Sequence, residues 1–168
     1  MTLSELNNLS PGERIKALSA CCGATAWQEK VNAAFPLADE EDLFREAEKA
    51  WASCSPQDWK EAFAHHPKIG DLASLKKKFA STAQWAAGEQ AGVQHTSPAV
   101  LEALAAGNRA YEEKFGYIFI VCATGKTAEE MLHLLQARLP NDPETEIAIA
   151  AGEQNKITLI RLQKLLAS

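Results

Sequence analysis

Apolar side chains recur at helical spacing along most of this chain. The clearest series is formed by Leu43, Ala47, Ala50 and Trp51. Its spacing of i, i+4, i+7 and i+8 places all four side chains on one face of a helix. The pattern predicts helices near residues 11–20, 24–34, 40–53, 56–64, 71–79, 82–91, 98–114, 127–138 and 143–166.

Residues that favour helix starts stand between these apolar faces. Their hydroxyl or carboxylate oxygens accept hydrogen bonds from the first free backbone N–H groups of a helix. Most of them precede a proline, which fits the first helical position because its missing N–H leaves no bond unmade there. Thr127 has an acid three residues later, the pattern of a capping box. The predicted starts follow Ser10, Ser55, Ser97, Thr127 and Asp142.

One segment, residues 117–123 (YIFIVCA), breaks the helical pattern. It is a continuous apolar and partly β-branched run, typical of a buried strand, but no other segment offers a convincing partner strand. Buried backbone groups without partners cost about 1–3 kcal/mol each. We therefore expect neighbouring helix termini or a ligand to supply their hydrogen bonds.

Length and composition favour one helical domain. The chain has 168 residues, 46% of them hydrophobic, which is enough to bury a core that contains a pocket. Residues that favour helices dominate, and neither an internal repeat nor a low-complexity linker interrupts them. The sequence predicts a single all-α domain over residues 1–168, with one buried extended apolar segment at about 117–123.

Charge and cysteine content narrow the class of protein. A net charge of -5 argues against a broad nucleic-acid-binding surface, and the basic run at residues 76–78 is typical of a solvated helix face. Cys21, Cys22, Cys54 and Cys122 form no CxxC pair and are expected to be reduced thiols. The first residues do not resemble a signal peptide, and no segment is long and apolar enough to span a membrane. A cytoplasmic location is expected.

The segment at residues 65–71 (HHPKIGD) is the first candidate for chemistry. Pro67 disfavours helical geometry at His66, so a helix should end there. Adjacent histidines on a helix point about 100° apart and are poorly placed to chelate one metal ion, so no metal site is expected. His66 is then either a helix C-cap or a proton-transfer group beside a loop held by proline and glycine.

Two further polar positions allow a structural or a functional interpretation. Glu89 and Gln90 lie between Gly88 and Gly92, where small neighbours permit close approach of a ligand or a helix. Glu89 is either solvated or bound to a urea-like N–H pair, and Gln90 suits the same partner. Arg161 lies in a largely apolar C-terminal helix and either extends past the core edge or contacts an anion.

Taken together, these residues resemble the 2-oxo-4-hydroxy-4-carboxy-5-ureidoimidazoline (OHCU) decarboxylase family of ureide metabolism. The resemblance rests on residues 65–71 (HHPKIGD), 88–92 (GEQAG), 111–123 (YEEKFGYIFIVCA) and 161–162 (RL). Each motif alone is weak, but their order and spacing cover most of the chain. The resemblance implies an all-α fold and stereoselective loss of CO2 from OHCU to give (S)-allantoin, without a metal or organic cofactor. It also suggests a homodimer.

The resemblance assigns roles residue by residue. It implies catalytic roles for His66 and Glu89. It implies substrate contacts for Pro67, Ala86, Gln90, Phe119, Ile120, Val121, Cys122, Ala123 and Arg161. Many relatives have serine where this chain has Ala86, so a hydroxyl contact to the ligand is either absent or supplied by water.

Three other classes of protein compete with this interpretation. The same polar set would serve another lyase or hydrolase that acts on a ureide, and a metal-dependent hydrolase is a chemical alternative. A helical interaction module would expose its tryptophans as a partner-binding surface. The spacing of Trp51 and Trp59 instead indicates core positions.

Overall fold

The computed structural model of the protein describes residues 1–67 and 97–168. Within these ranges the chain forms eight helices and no strand, which confirms the predicted all-α class. Among the described residues, no helix combines the length and apolar character needed to cross a bilayer. The helices are α1 Leu3–Asn8, α2 Pro11–Ser19, α3 Thr25–Ala33, α4 Glu40–Ala52, α5 Pro56–Ala64, α6 Pro98–Phe115, α7 Ala128–Arg138 and α8 Pro143–Ala167.

The predicted boundaries of α2 to α8 lie within one residue of those observed. The helices predicted near 71–79 and 82–91 lie outside the described residues. Helix α1 was not predicted, because its six residues bury only Leu6 and are too few to show a helical period. A capping box nevertheless begins it: Thr2 Oγ1 accepts from the N–H of Glu5 at 3.1 Å, and the Glu5 carboxylate accepts from the N–H of Thr2.

Side-chain caps begin all five of the helices whose starts were predicted from polar residues. Ser10 and Ser55 form reciprocal capping boxes with the acids three residues later. Thr127 accepts from the N–H of Glu130 at 3.1 Å, but among the described contacts the predicted reciprocal bond is not formed. The Glu130 residue is exposed, so water solvates its carboxylate instead.

The chain divides into two compact units, one of Met1–His66 with Ile147–Ser168 and one of Pro67–Glu146. The first unit has Trp27 and Trp51 in its core, at 0% and 5% exposure. Their indole N–H groups donate to the carbonyls of Ala47 at 3.0 Å and Ala151 at 2.8 Å. Tryptophans buried and hydrogen-bonded in this way do not form a partner-binding surface. Trp85 lies outside the described residues.

In the second unit, α6 packs against α7. Gly107 makes the close approach possible, because a Cβ atom there would lie 2.6 Å from Cδ2 of the fully buried Leu135. After α6 the chain turns at Gly116, which has a φ of 82°, and enters the apolar segment 117–123. Within that segment Ile120 and Cys122 are buried and the other residues are half-buried.

Candidate active site

The end of helix α5 places His66. Ala62 and Phe63 anchor the last turn in the core, at 1% and 0% exposure. The backbone N–H groups of His65 and His66 donate to the carbonyls of Ala62 at 3.1 Å and Phe63 at 3.2 Å. Pro67 then follows, and the helix ends as the sequence predicts. His66 is thereby held half-buried at the end of a well-anchored helix.

The two adjacent histidines have different surroundings. His65 is exposed, and its Nδ1 lies 3.0 Å from the carbonyl oxygen of Glu61 in the same helix. His66 Nε2 lies 2.5 Å from Oε1 of Gln154, a residue 88 positions later in helix α8. His65 therefore caps its own helix, and His66 makes the tertiary contact.

The His65 side chain packs directly against the backbone of Gly23. A Cβ atom at Gly23 would fall 2.4 Å from Cγ and 2.6 Å from Cβ of His65, so the helix end would have to move. We expect Gly23→Ala to lower the free energy of unfolding by about 1–3 kcal/mol, the cost typical of overpacking. Urea unfolding followed by circular dichroism measures this.

Gly12 provides a matched control for this change. It lies in the first turn of α2 with no atom within 4 Å of an added Cβ. Gly12→Ala should leave stability unchanged or raise it by up to about 1 kcal/mol, because alanine favours helix more than glycine does. Equal effects of the two substitutions would show that the contact with His65 is not what requires glycine at position 23.

Helix α8 presents a polar stripe on an otherwise apolar face. Gln154, Thr158 and Arg161 follow one another at i, i+4 and i+7 and so share a face. Gln154 and Thr158 are buried, at 0% and 2% exposure, and Gln154 Nε2 donates to Thr158 Oγ1 at 3.1 Å. Half-buried Arg161 has its Nη1 3.5 Å from the carbonyl oxygen of Cys21.

The sequence pointed to Arg161 as a site residue but not to Gln154 or Thr158. The available signal was their spacing from Arg161. Polar side chains that repeat every helical turn on an apolar face are buried together, and buried polar groups need partners. Counted one at a time, the same residues look like ordinary interruptions of an apolar pattern.

The surroundings of His66 favour the neutral form of its imidazole. Burial lowers the pKa of His66 below its ordinary value of 6.5, because the cation loses hydration. The hydrogen bond with Gln154 opposes this shift, while the positive charges of Arg161 and His65 add to it. A neutral histidine beside a cation is suited to accept a proton from a substrate whose negative charge the cation attracts.

The thiols of Cys21 and Cys22 are not suited to nucleophilic chemistry. Burial raises the pKa of Cys21 and of Cys22 to about 11, so both are protonated at neutral pH.

In residues 1–67 and 97–168, no three His, Cys, Asp or Glu side chains are grouped as metal ligands. That the protein acts without metal stays a prediction.

The segment that includes Phe119, Ile120, Val121, Cys122 and Ala123 lies in the second unit. Arg138 Nη1 donates to the carbonyl of Ile120 at 2.7 Å, and Lys126 Nζ donates to that of Cys122 at 2.7 Å. The expectation that helix termini or a ligand would satisfy this backbone is therefore wrong for these two carbonyls. Cationic side chains serve them, because charged donors make strong hydrogen bonds to buried carbonyl oxygens.

Of the remaining site residues named from the sequence, only Pro67 lies within the described part of the chain. Pro67 follows His66 directly and is exposed. Ala86, Glu89 and Gln90 lie outside the described residues. Within one unit the structure thus brings together His66 and Arg161, with Gln154 and Thr158 beside them.

Comparison with known proteins decides the family. Residues 7–163 match a family model described as OHCU decarboxylase. The chain belongs to the OHCU decarboxylase family. A solved relative, a crystal structure of OHCU decarboxylase in the presence of (S)-allantoin, aligns with a TM-score of 0.71 and 36% identity, over 89% of this chain and 96% of that one. A structure of (S)-allantoin synthase, with 19% identity and a TM-score of 0.73 over 99% of this chain and 54% of that one, shows the shared fold.

Sequence relatives in this family include longer proteins. The uric acid degradation bifunctional protein TTL of Arabidopsis thaliana is 37% identical over 145 residues, which cover 86% of this chain and 45% of the relative. The uric acid degradation bifunctional protein of Bacillus sp. (strain TB-90) is 25% identical over 166 residues, which cover 98% of this chain and 32% of the relative. The chain therefore spans less than half the length of these two proteins.

Proposed function

We propose that this protein catalyses the stereoselective decarboxylation of OHCU to (S)-allantoin, in urate degradation and without a cofactor. The observation that carries the proposal is the half-buried imidazole of His66, whose Nε2 lies 2.5 Å from Gln154 Oε1, in a chain of this family. The positive charge of Arg161 acts on this imidazole and lowers its pKa. The relative solved in the presence of (S)-allantoin supports the choice of product.

The substrate itself explains why a cofactor is not needed. When the bond between C4 and the carboxylate breaks and CO2 leaves, the electron pair of that bond forms a C4–C5 double bond. The neighbouring C=N accepts the displaced pair, and its nitrogen takes a proton from water. The resulting enol then loses the proton of its C4 hydroxyl and gains one at C5, which gives the ketone of allantoin. The protein has to orient the carboxylate and control these protons.

The residues divide these tasks. His66 acts as the general acid–base group at the reacting carbon and its hydroxyl, and Arg161 neutralises the carboxylate charge. The resemblance to the family assigns binding of the ureido and ring amides to Glu89 and Gln90, and substrate contacts to Pro67, Ala86 and the backbone of residues 119–123. Proton delivery to a single face of C5 sets the S configuration.

A coupled assay tests the proposal. OHCU is generated from urate with the two preceding enzymes, and allantoin chirality is followed by circular dichroism with and without this protein. The expected result is faster formation of (S)-allantoin that persists after treatment with a chelator. No acceleration and no bias towards the S form would overturn the proposal. A different product from OHCU would indicate another ureide lyase or hydrolase, and loss of activity with the chelator a metal-dependent enzyme.

The pH dependence of kcat/KM is a second test. Since His66 must be neutral to accept a proton, activity is lost as pH falls through its pKa. Burial lowers that pKa, so the acidic limb should lie below pH 6.5. Arg161→Gln removes a positive charge that also lowers the pKa of His66. The acidic limb of kcat/KM for this variant should therefore move to higher pH. A wild-type limb at or above pH 6.5 would contradict a buried neutral base.

We also propose a cytoplasmic location and a homodimer. The dimer extends the resemblance to the family, and neither proposal changes the roles given to the residues above. Sedimentation equilibrium tests the dimer, and a mass equal to that of one chain at all concentrations would exclude it.

A further inference from the structure

We infer that Gln154 and Thr158 are positioning residues that hold His66 in the tautomer with hydrogen on Nε2, so that Nδ1 is the nitrogen that exchanges a proton with the substrate. This inference rests on the proposed function for its consequence in catalysis. The tautomer itself is a property of the protein without substrate.

The two ends of the Gln154 amide differ in what they can bond. Its Oε1 only accepts hydrogen bonds and its Nε2 only donates them. Oε1 lies 2.5 Å from His66 Nε2, and Nε2 lies 3.1 Å from Thr158 Oγ1. With Oε1 facing the imidazole, His66 Nε2 must carry the hydrogen. Gln154 is 0% exposed, so bulk water does not compete for either end of the amide.

Thr158 keeps the Gln154 amide in this orientation. Rotated by half a turn, the amide would donate to His66 and need the Thr158 hydroxyl as a donor. In the structure Gln154 Nε2 donates to Thr158 Oγ1 at 3.1 Å, so the hydroxyl oxygen is the acceptor for the N–H end of the amide. Rotation of the amide would lose this bond. Thr158 thus acts on His66 through the amide between them.

Nδ1 is the other nitrogen of the His66 imidazole. A neutral imidazole carries one hydrogen, so hydrogen on Nε2 leaves a lone pair on Nδ1. In the part of the chain that the structure describes, no residue forms a hydrogen bond with Nδ1 of His66. Nδ1 is therefore the nitrogen that first accepts the proton of the C4 hydroxyl and then acts as the acid.

The tautomer is measured directly by long-range proton–nitrogen correlation NMR of the full chain labelled with 15N-histidine. His66→Asn assigns the signals. The expected result is an imidazole of His66 with hydrogen on Nε2 in the wild type and in Thr158→Ser, which keeps the hydroxyl. A wild-type protein with hydrogen on Nδ1 overturns the inference.

Thr158→Val removes the hydroxyl with little change in shape. We expect part of His66 to shift to the other tautomer and kcat to fall about tenfold or more, as when a hydrogen bond that orients a histidine is lost, while KM changes little. Thr158→Ser keeps the hydroxyl and should show the wild-type tautomer of His66 and the wild-type kcat. A kcat and tautomer unchanged in Thr158→Val would overturn the role of Thr158.

Gln154→Glu is a second variant, which keeps an acceptor opposite Nε2. It should retain hydrogen on Nε2 and move the acidic limb of kcat/KM to higher pH, because a carboxylate stabilises the imidazolium. An unmoved limb or a change of tautomer counts against the inference. If the wild type has the expected tautomer but does not decarboxylate OHCU, the proposed function fails and the tautomer assignment stands. If it is active with hydrogen on Nδ1, only the inference fails.

Discussion

Replacing His66 by asparagine should reduce kcat/KM for OHCU by about 10²- to 10⁴-fold, the range typical of a lost general acid–base group. Asparagine is polar and of similar size but does not titrate, so it cannot exchange the proton. The circular dichroism assay of (S)-allantoin formation measures the loss. Because His66 lies at the end of α5 and is only half-buried, the variant should still fold.

The neighbouring histidine is the matched control. His65 is exposed and caps its own helix, so His65→Asn should keep kcat/KM within a few-fold of the wild type. Thermal unfolding of both variants separates a loss of chemistry from a loss of structure. Unchanged turnover in folded His66→Asn would refute the proton-transfer role, and equal losses in both variants would refute the choice of His66 over His65.

The fold was predictable because its signals are local. Ser55 with Pro56 specifies where α5 begins, and Pro67 specifies where it ends, whatever the rest of the chain does. The same local rules locate the other predicted helices. Helix α1 was not predicted, because a helix of six residues with only Leu6 buried shows no period of apolar residues. The capping pattern of Thr2 and Glu5 is nevertheless present in the sequence.

The candidate site was less accessible to sequence analysis because its contacts are tertiary. The motif at 65–71 indicated an imidazole at a helix end, and only the fold shows that Gln154 binds it from 88 residues away. Likewise, no local sequence signal distinguishes Arg138 from an ordinary basic residue in the last turn of α7. Nothing local shows that its guanidinium reaches the carbonyl of Ile120.

Arg138 is the centre of a buried polar network in the second unit. Its Nε donates to Glu146 Oε1 at 2.7 Å and its Nη1 to the carbonyl of Ile120 at 2.7 Å. The hydroxyl of Tyr111 donates to the same Glu146 oxygen at 2.6 Å. The guanidinium also lies 4.4 Å from the ring centroid of Phe119. One cation therefore joins α6, the apolar segment and the start of α8.

Arg138→Met should lower the free energy of unfolding by about 3–5 kcal/mol, measured by urea unfolding, because it leaves a buried carboxylate without its cation. Glu146 is 0% exposed and cannot recover its hydration. Arg45→Met is the control: Arg45 also pairs with an acid, Asp42, but its side chain is 65% exposed, so the loss should stay below about 1 kcal/mol.

The double variant Arg138→Met with Glu146→Gln distinguishes the ion pair from simple packing. Glutamine removes the buried negative charge and keeps an acceptor for Tyr111, so the double variant should be more stable than Arg138→Met alone. The carbonyl of Ile120 still lacks its donor in both, which leaves a residual loss of about 1–3 kcal/mol. Glu146→Gln alone completes the comparison. If the loss of stability in the double variant equals the sum of the losses in Arg138→Met and Glu146→Gln, Arg138 stabilises the unit through its contacts with Ile120 and Phe119, and not through the charge of Glu146.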